Sequence, residues 1–128
     1  PANLLLTKNL KHCKLADVGV SRMGGDRGLD MTFVGTGIYM APEMVSLHYD
    51  HKIDVFAFGI SLYEMLRGSH IDYLGKEGKP YILIKCGPNE RPSLANYEKK
   101  FRDIITNCWE YDPKKRWNFK DVVNALKK

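Results

Sequence analysis

The chain has 128 residues, of which 44% are hydrophobic, 27% charged and 11% aromatic, with a formal charge of +5; this excludes a disordered or fibrous protein and sets one soluble globular domain as the ceiling. Folding at this length buries about 65% of the surface of the unfolded chain, so no disulfide or metal staple is required. No apolar run reaches the ~20 residues of a membrane span, and Pro1–Leu6 lacks the basic start and cleavage site of a signal peptide, so the sequence reads as cytoplasmic.

Leu4-Leu5-Leu6 and Lys14-Leu15-Ala16 flank a polar Lys8-Asn9 turn and predict a short hairpin. A glycine-rich stretch over residues 24–37 predicts one long loop. Ile53 to Leu66 follows as a helix with apolar residues on nearly every side, buried all round rather than amphipathic, with Gly68 as its C-cap. Residues 68–96 carry four glycines and three prolines and read as loop, with room for one short helix around Tyr81 to Lys85. Phe101, Ile104, Ile105, Cys108 and Trp109 fall on one helical stripe that ends before Asp112-Pro113. In the last helix Asn118 is the cap, Asp121 takes the box position, and Phe119, Val122, Val123 and Leu126 form the apolar stripe.

Cys13, Cys86 and Cys108 are odd in number, widely spaced and outside any metal-ligand pattern, so buried free thiols are expected. The basic excess lies at the C-terminal end, in Lys99-Lys100, Lys114-Lys115-Arg116 and Lys127-Lys128. Such short runs read as solvated helix faces, and with no nucleic-acid motif beside them no nucleic-acid partner is expected.

Lys14 to Gly19 places a carboxylate, Asp17, at a strand end and follows it with glycine. By itself this is the pattern of a turn former. Asn3 lies fourteen residues upstream across the hairpin, so an amide oxygen and a carboxylate converge, a donor pair that suits a hard cation such as Mg²⁺. Gly35-Thr36-Gly37-Ile38-Tyr39-Met40-Ala41-Pro42-Glu43 then closes the glycine-rich loop, and Asp54-Val55-Phe56-Ala57-Phe58-Gly59 opens the buried helix.

With these residues in order the chain resembles the protein kinase family along its whole length. Pro1-Ala2-Asn3 is similar to the end of the catalytic-loop pattern HRDLKPxN, Asp17-Val18-Gly19 to DFG, and Ala41-Pro42-Glu43 to the APE motif that closes the activation segment. Asp54 and Gly59 match the signature of the central buried helix, and Cys108-Trp109, Asp112-Pro113 and Arg116 match the late CW..DP..R segment. The resemblance implies a mainly α fold, that of the C-terminal lobe: a short β-hairpin, an activation segment and a helical bundle around a buried central helix, with residues 1–128 a partial kinase domain.

Carried over residue by residue, the resemblance makes Asn3 and Asp17 the metal ligands for the Mg²⁺ ions that accompany ATP, and Leu5 the floor beneath the adenine ring, or else a plain core leucine. Thr36 would reach the catalytic Asp, or else be an ordinary loop hydroxyl. Ser21 or Thr32, in the activation loop over residues 20–35, would accept a regulatory phosphate. Arg116 would pair with Glu43. The implied cofactors are ATP and Mg²⁺ and the implied partners protein substrates, with the Cys-Trp segment and Arg91-Pro92 leaning towards the tyrosine-kinase-like group with Ser/Thr specificity.

The sequence departs from the pattern in features it lacks and in two substitutions. The catalytic Asp of HRDxxxxN falls before residue 1, and the glycine-rich nucleotide loop, the strand lysine and its glutamate partner are not in the chain, so it reads as an N-terminally truncated piece, inactive alone and marginally folded. Val18 replaces the usual Phe of DFG, and Trp117 stands where the family usually has Pro, a change expected to alter local packing only. The alternative function is a non-catalytic, pseudokinase-like binding module.

Overall fold

Leu4–Leu6 (β1) and Cys13–Leu15 (β2) form a two-stranded antiparallel sheet, with Leu4 opposite Leu15, Leu5 opposite Lys14 and Leu6 opposite Cys13. This is the expected hairpin to within a residue at each strand. The computed structural model describes residues 2–17, 19, 39–46, 48–68 and 91–127. Val18, Ser21, Thr32, Thr36, Cys86 and the expected helix around Tyr81 to Lys85 lie outside the described residues.

The chain divides into two units, Pro1–Val34 and Gly35–Lys128. In the first, the turn between the strands is closed by the Thr7 N–H donating to His12 O at 2.9 Å and the Leu10 N–H donating to Thr7 O at 2.8 Å. Leu5, Leu6 and Leu15 are 53%, 61% and 70% exposed, so Leu5 is not a core leucine. Cys13 is exposed as well, which corrects the expectation of a buried thiol there: all three residues of its strand are exposed.

Among the described residues of the second unit a 3-10 helix, Pro42–Ser46, precedes three α-helices: α1 (Lys52–Arg67), α2 (Lys99–Cys108) and α3 (Phe119–Lys127). Among the described residues the fold is therefore mainly helical with one small sheet, and no helix is long and apolar enough to cross a membrane. Helix α1 starts where Asp50 Oδ1 accepts the Lys52 N–H at 2.8 Å. It stops at Gly68, whose φ of 74° only glycine adopts without strain and whose N–H donates to Glu64 O.

The core is built on α1 and α2. Val55, Phe56 and Ile60 of α1 are fully buried with Ile104, Ile105 and Cys108 of α2, each large apolar side chain contributing roughly 1.5–3 kcal/mol. Gly59 is the point of closest approach: a Cβ there would sit 2.7 Å from Cys108 Cβ and 3.3 Å from Trp109 N. The glycine of the central helix is thus a packing requirement, because α2 occupies the space that a side chain would need.

Helix α3 carries the expected reciprocal cap, Asp121 Oδ2 accepting the Asn118 N–H at 3.0 Å and Asn118 Oδ1 accepting the Asp121 N–H at 3.1 Å. Its stripe is less covered than the periodicity suggests. Val122 alone is buried, while Phe119, Val123 and Leu126 are 40–45% exposed. Phe119 makes an edge-to-face contact with Phe58 of α1 at 5.9 Å, and Lys100 of α2 donates to Leu126 O at 2.8 Å.

Candidate functional site

The hairpin register decides what stands at its open end. Leu4 opposes Leu15, so the next residues outward, Asn3 and Ala16, face each other, and the Ala16 N–H donates to Asn3 O at 2.9 Å. Asp17 comes one residue later. Its φ of 58° is a left-handed conformation that aspartate tolerates better than most residues. Gly19 lies beside the carboxylate, Asp17 Oδ1 being 3.8 Å from where a Cβ would be, an ordinary van der Waals distance. Asn3 and Asp17 are both exposed.

This end offers one amide oxygen and one carboxylate, both hard donors. Among the described residues no group of three or more His, Cys, Asp or Glu is placed to hold a metal ion. A cation held here would therefore draw its other ligands from water and from the ligand it accompanies, the usual way Mg²⁺ is bound with phosphates. The residues fit that group. Leu5 lies two residues along from Asn3, exposed and opposite Lys14.

In the second unit the segment Tyr39–Ser46 is anchored at both ends. Met40 and Ala41 are buried, and the Tyr39 hydroxyl donates to Glu64 Oε2 at 2.5 Å. Burial, reinforced by the hydrogen bond and charge of Glu64, raises the Tyr39 pKa, so the phenol stays protonated. Glu64 is a buried carboxylate in a helix whose other buried residues are apolar or aromatic. Its isolation as an acidic residue within Val55–Leu66 is the sequence signal by which it is recognisable, and the sequence reading missed it.

At the other end Arg116 Nη1 and Nη2 donate to the two carboxylate oxygens of Glu43 at 2.5 and 3.0 Å. The remaining N–H groups go to backbone carbonyls: Nε to Glu110 O at 2.9 Å, Nη1 to Lys52 O at 2.9 Å and Nη2 to Tyr111 O at 3.4 Å. All five guanidinium donors are used. Lys52 Nζ in turn donates to Arg116 O, so the start of α1 and the loop before α3 hold each other twice.

Phe56 lies beneath two guanidinium groups, Arg116 at 5.0 Å and Arg91 at 5.5 Å from the ring centroid. Arg91 also lies 6.0 Å from the Trp109 ring centroid and donates to Trp109 O at 3.2 Å. Trp117 does more than pack: its backbone N–H donates to Asn107 O at 3.1 Å. The proline common at this position in the family has no N–H to give.

Comparison with known proteins places the chain in a family. The family model for the protein kinase domain matches residues 1–126. Similar curated proteins include the dual specificity protein kinase shkE of Dictyostelium discoideum, 32% identical over 98% of this chain, and the serine/threonine-protein kinase STY46 of Arabidopsis thaliana, 34% identical over 98% of it. The chain spans 18% and 22% of the lengths of those two relatives.

Proposed function

The chain belongs to the protein kinase family, and on that premise we propose that it is the metal-holding and substrate-docking portion of a catalytic domain whose parent transfers the ATP γ-phosphoryl group to Ser/Thr hydroxyls of proteins. The observation that carries this is the pairing of Asn3 with Ala16, which brings the amide of Asn3 and the carboxylate of Asp17 to one end of the hairpin. Mg²⁺ and ATP, when bound, supply the transferable phosphoryl group and neutralise the charge that develops on it.

The chain's own residues divide the remaining work. Asn3 and Asp17 accept the cation and fix its position. Leu5 gives the purine an apolar underside, contributing affinity without discrimination. Thr36 orders the catalytic Asp against the substrate hydroxyl. Residues 39–46 carry the substrate, and the Tyr39–Glu64 and Glu43–Arg116 links keep that segment from drifting. Misplacement by about an ångström costs on the order of 100-fold in such reactions.

The relatives named as serine/threonine kinases favour Ser/Thr over Tyr, and Arg91 with the Cys108-Trp109 pair favours the tyrosine-kinase-like group. The test is to read the transcript upstream of Pro1, express its whole product, and measure transfer of labelled phosphate to Ser-, Thr- and Tyr-containing peptides. Transfer to Ser/Thr peptides that Asp17→Asn reduces at least about 100-fold supports the reading. A full product without HRD and the strand lysine, or without transfer, replaces it with the pseudokinase-like module.

A further inference from the structure

The tip of the hairpin, residues 7–12, combines three features that a solvated turn does not need. Leu10 is 73% exposed, the most exposed of the large apolar residues described. It also sits at φ 57°, a backbone region that leucine disfavours and that glycine or asparagine normally fills. Asn9 stands one place earlier in the chain, so an apolar side chain occupies the position that turn chemistry would give to its neighbour.

The turn is nonetheless held firmly. The Thr7 hydroxyl donates to Asn9 Oδ1 at 2.6 Å and accepts the His12 N–H at 3.1 Å, and Asn9 Oδ1 also accepts the Lys11 N–H at 3.1 Å. Lys8 and Lys11, in the turn with Leu10, and Lys14, in β2 opposite Leu5, are all exposed. Asp17 is the one acidic residue among the described residues of this unit.

We propose that this tip is a docking surface for an acidic segment of a partner protein that also carries apolar side chains. The lysines select carboxylates by charge, and Leu10 supplies the apolar contact beside Lys8 and Lys11. Lysines on a strand edge also discourage unwanted sheet pairing, but that does not account for a leucine held outward at the tip. A nucleic acid fits less well, because the described residues of this unit include no Phe, Tyr or Trp on which a base would stack. An anionic bilayer fits less well too: a single leucine is a weak anchor, and a fluid surface makes no use of a turn fixed by side-chain hydrogen bonds. A shaped protein segment uses both. The inference does not depend on phosphoryl transfer and holds for an enzyme or a binding module alike.

The experiment is to pan a display library of random peptides on the full chain and measure the affinity of a synthetic copy of any consensus for the full chain and its variants. Enrichment of Glu or Asp together with Leu, Ile or Phe is expected, with binding weakened by salt. The double variant Lys8→Glu/Lys11→Glu is expected to lose at least about tenfold in affinity, and Leu10→Gly a similar factor. Glycine suits φ 57°, so that variant keeps the turn while removing the side chain, and an unchanged amide spectrum for residues 7–12 verifies it. A consensus without acidic residues, no enrichment at all, or affinity indifferent to both variants overturns the proposal. So does equal or tighter lysine-dependent binding to vesicles of phosphatidylcholine and phosphatidylserine in equal parts, or to oligothymidylate.

Discussion

Arg116 meets the Glu43 carboxylate with both terminal nitrogens, at 2.5 and 3.0 Å, across 73 residues of sequence. The arginine side chain is fully buried and the glutamate 12% exposed. A pair in that setting adds little net stability over an apolar substitute, but either member left alone is a buried charge without its counterpart.

Arg116→Met is therefore expected to cost about 3–5 kcal/mol, a large share of the stability of a domain this size. Glu43→Gln also costs, because its amide N–H₂ faces guanidinium donors. The double variant Glu43→Gln/Arg116→Met is expected to cost less than the sum of the singles. Urea titration of the three proteins measures this, and full additivity would show that the two groups do not interact.

Gly59→Ala offers a second equilibrium test with opposing terms. Alanine in place of glycine favours a helix by about 1 kcal/mol. The added methyl meets Cys108 Cβ at 2.7 Å and α2 backbone at 3.3 Å, and overpacking of this kind costs about 1–3 kcal/mol. Net destabilisation is expected, and Cys108→Ala should not relieve it because the clash is with Cβ. A stabilised Gly59→Ala protein would mean that the helices stand further apart.

The two described cysteines should behave oppositely towards alkylating reagents. Cys13 is exposed and reacts in the native state; Cys108 is buried, with its thiol pushed up to about 12 from the ordinary 9.0 chiefly by burial, the Arg116 charge partly offsetting this. The sign follows from proton binding. Below pH 9 both folded and unfolded states hold the Cys108 proton, whereas above it the unfolded thiol ionises first, so stability falls as pH rises from about 9 towards 12. Tyr39, also raised, adds to the loss above its ordinary 10.0. Thermal unfolding against pH should show a slope that Cys108→Ala makes shallower; an unchanged slope would assign the loss to other groups.

Trp117→Pro and Trp117→Ala separate a backbone role from a side-chain one. Both remove the indole, but proline also removes the N–H that Asn107 O accepts. The proline variant is expected to be less stable than the alanine variant by about 0.5–1.5 kcal/mol. Equal stabilities by denaturant titration would return Trp117 to a packing role.

The elements were legible where one physical signal dominated. The all-round apolar run predicts α1, observed one residue longer at each end, and Asn118 with Asp121 predicts the start of α3, because capping chemistry is local. Helix α2 begins two residues before its first apolar position, since Lys99 and Lys100 are exposed or half-buried and leave no periodic mark. Exposure was harder to read. Cys13, Phe119, Val123 and Leu126 look like core residues by type, yet coverage depends on what packs above them, which periodicity does not carry. The Tyr39–Glu64 and Arg91–Trp109 contacts join residues 25 and 18 positions apart, and no spacing rule announces such pairs. The family motifs located Asn3, Asp17, Glu43 and Arg116, and the hairpin register explains physically why the first two share an end.

The Glu43–Arg116 link also bears on the order of events in folding. A guanidinium enters the core at tolerable cost only when its carboxylate arrives with it, and the 73 residues between them make this one of the longest closures in the chain. Contacts of that span form after the nearer ones between α1 and α2. If Arg116 is then still in water in the transition state, replacing it is expected to accelerate unfolding and leave the folding rate nearly unchanged, which a chevron of Arg116→Met measures. The pair would act as a late lock, setting how long residues 39–46 stay against the helices rather than how quickly the helices find each other.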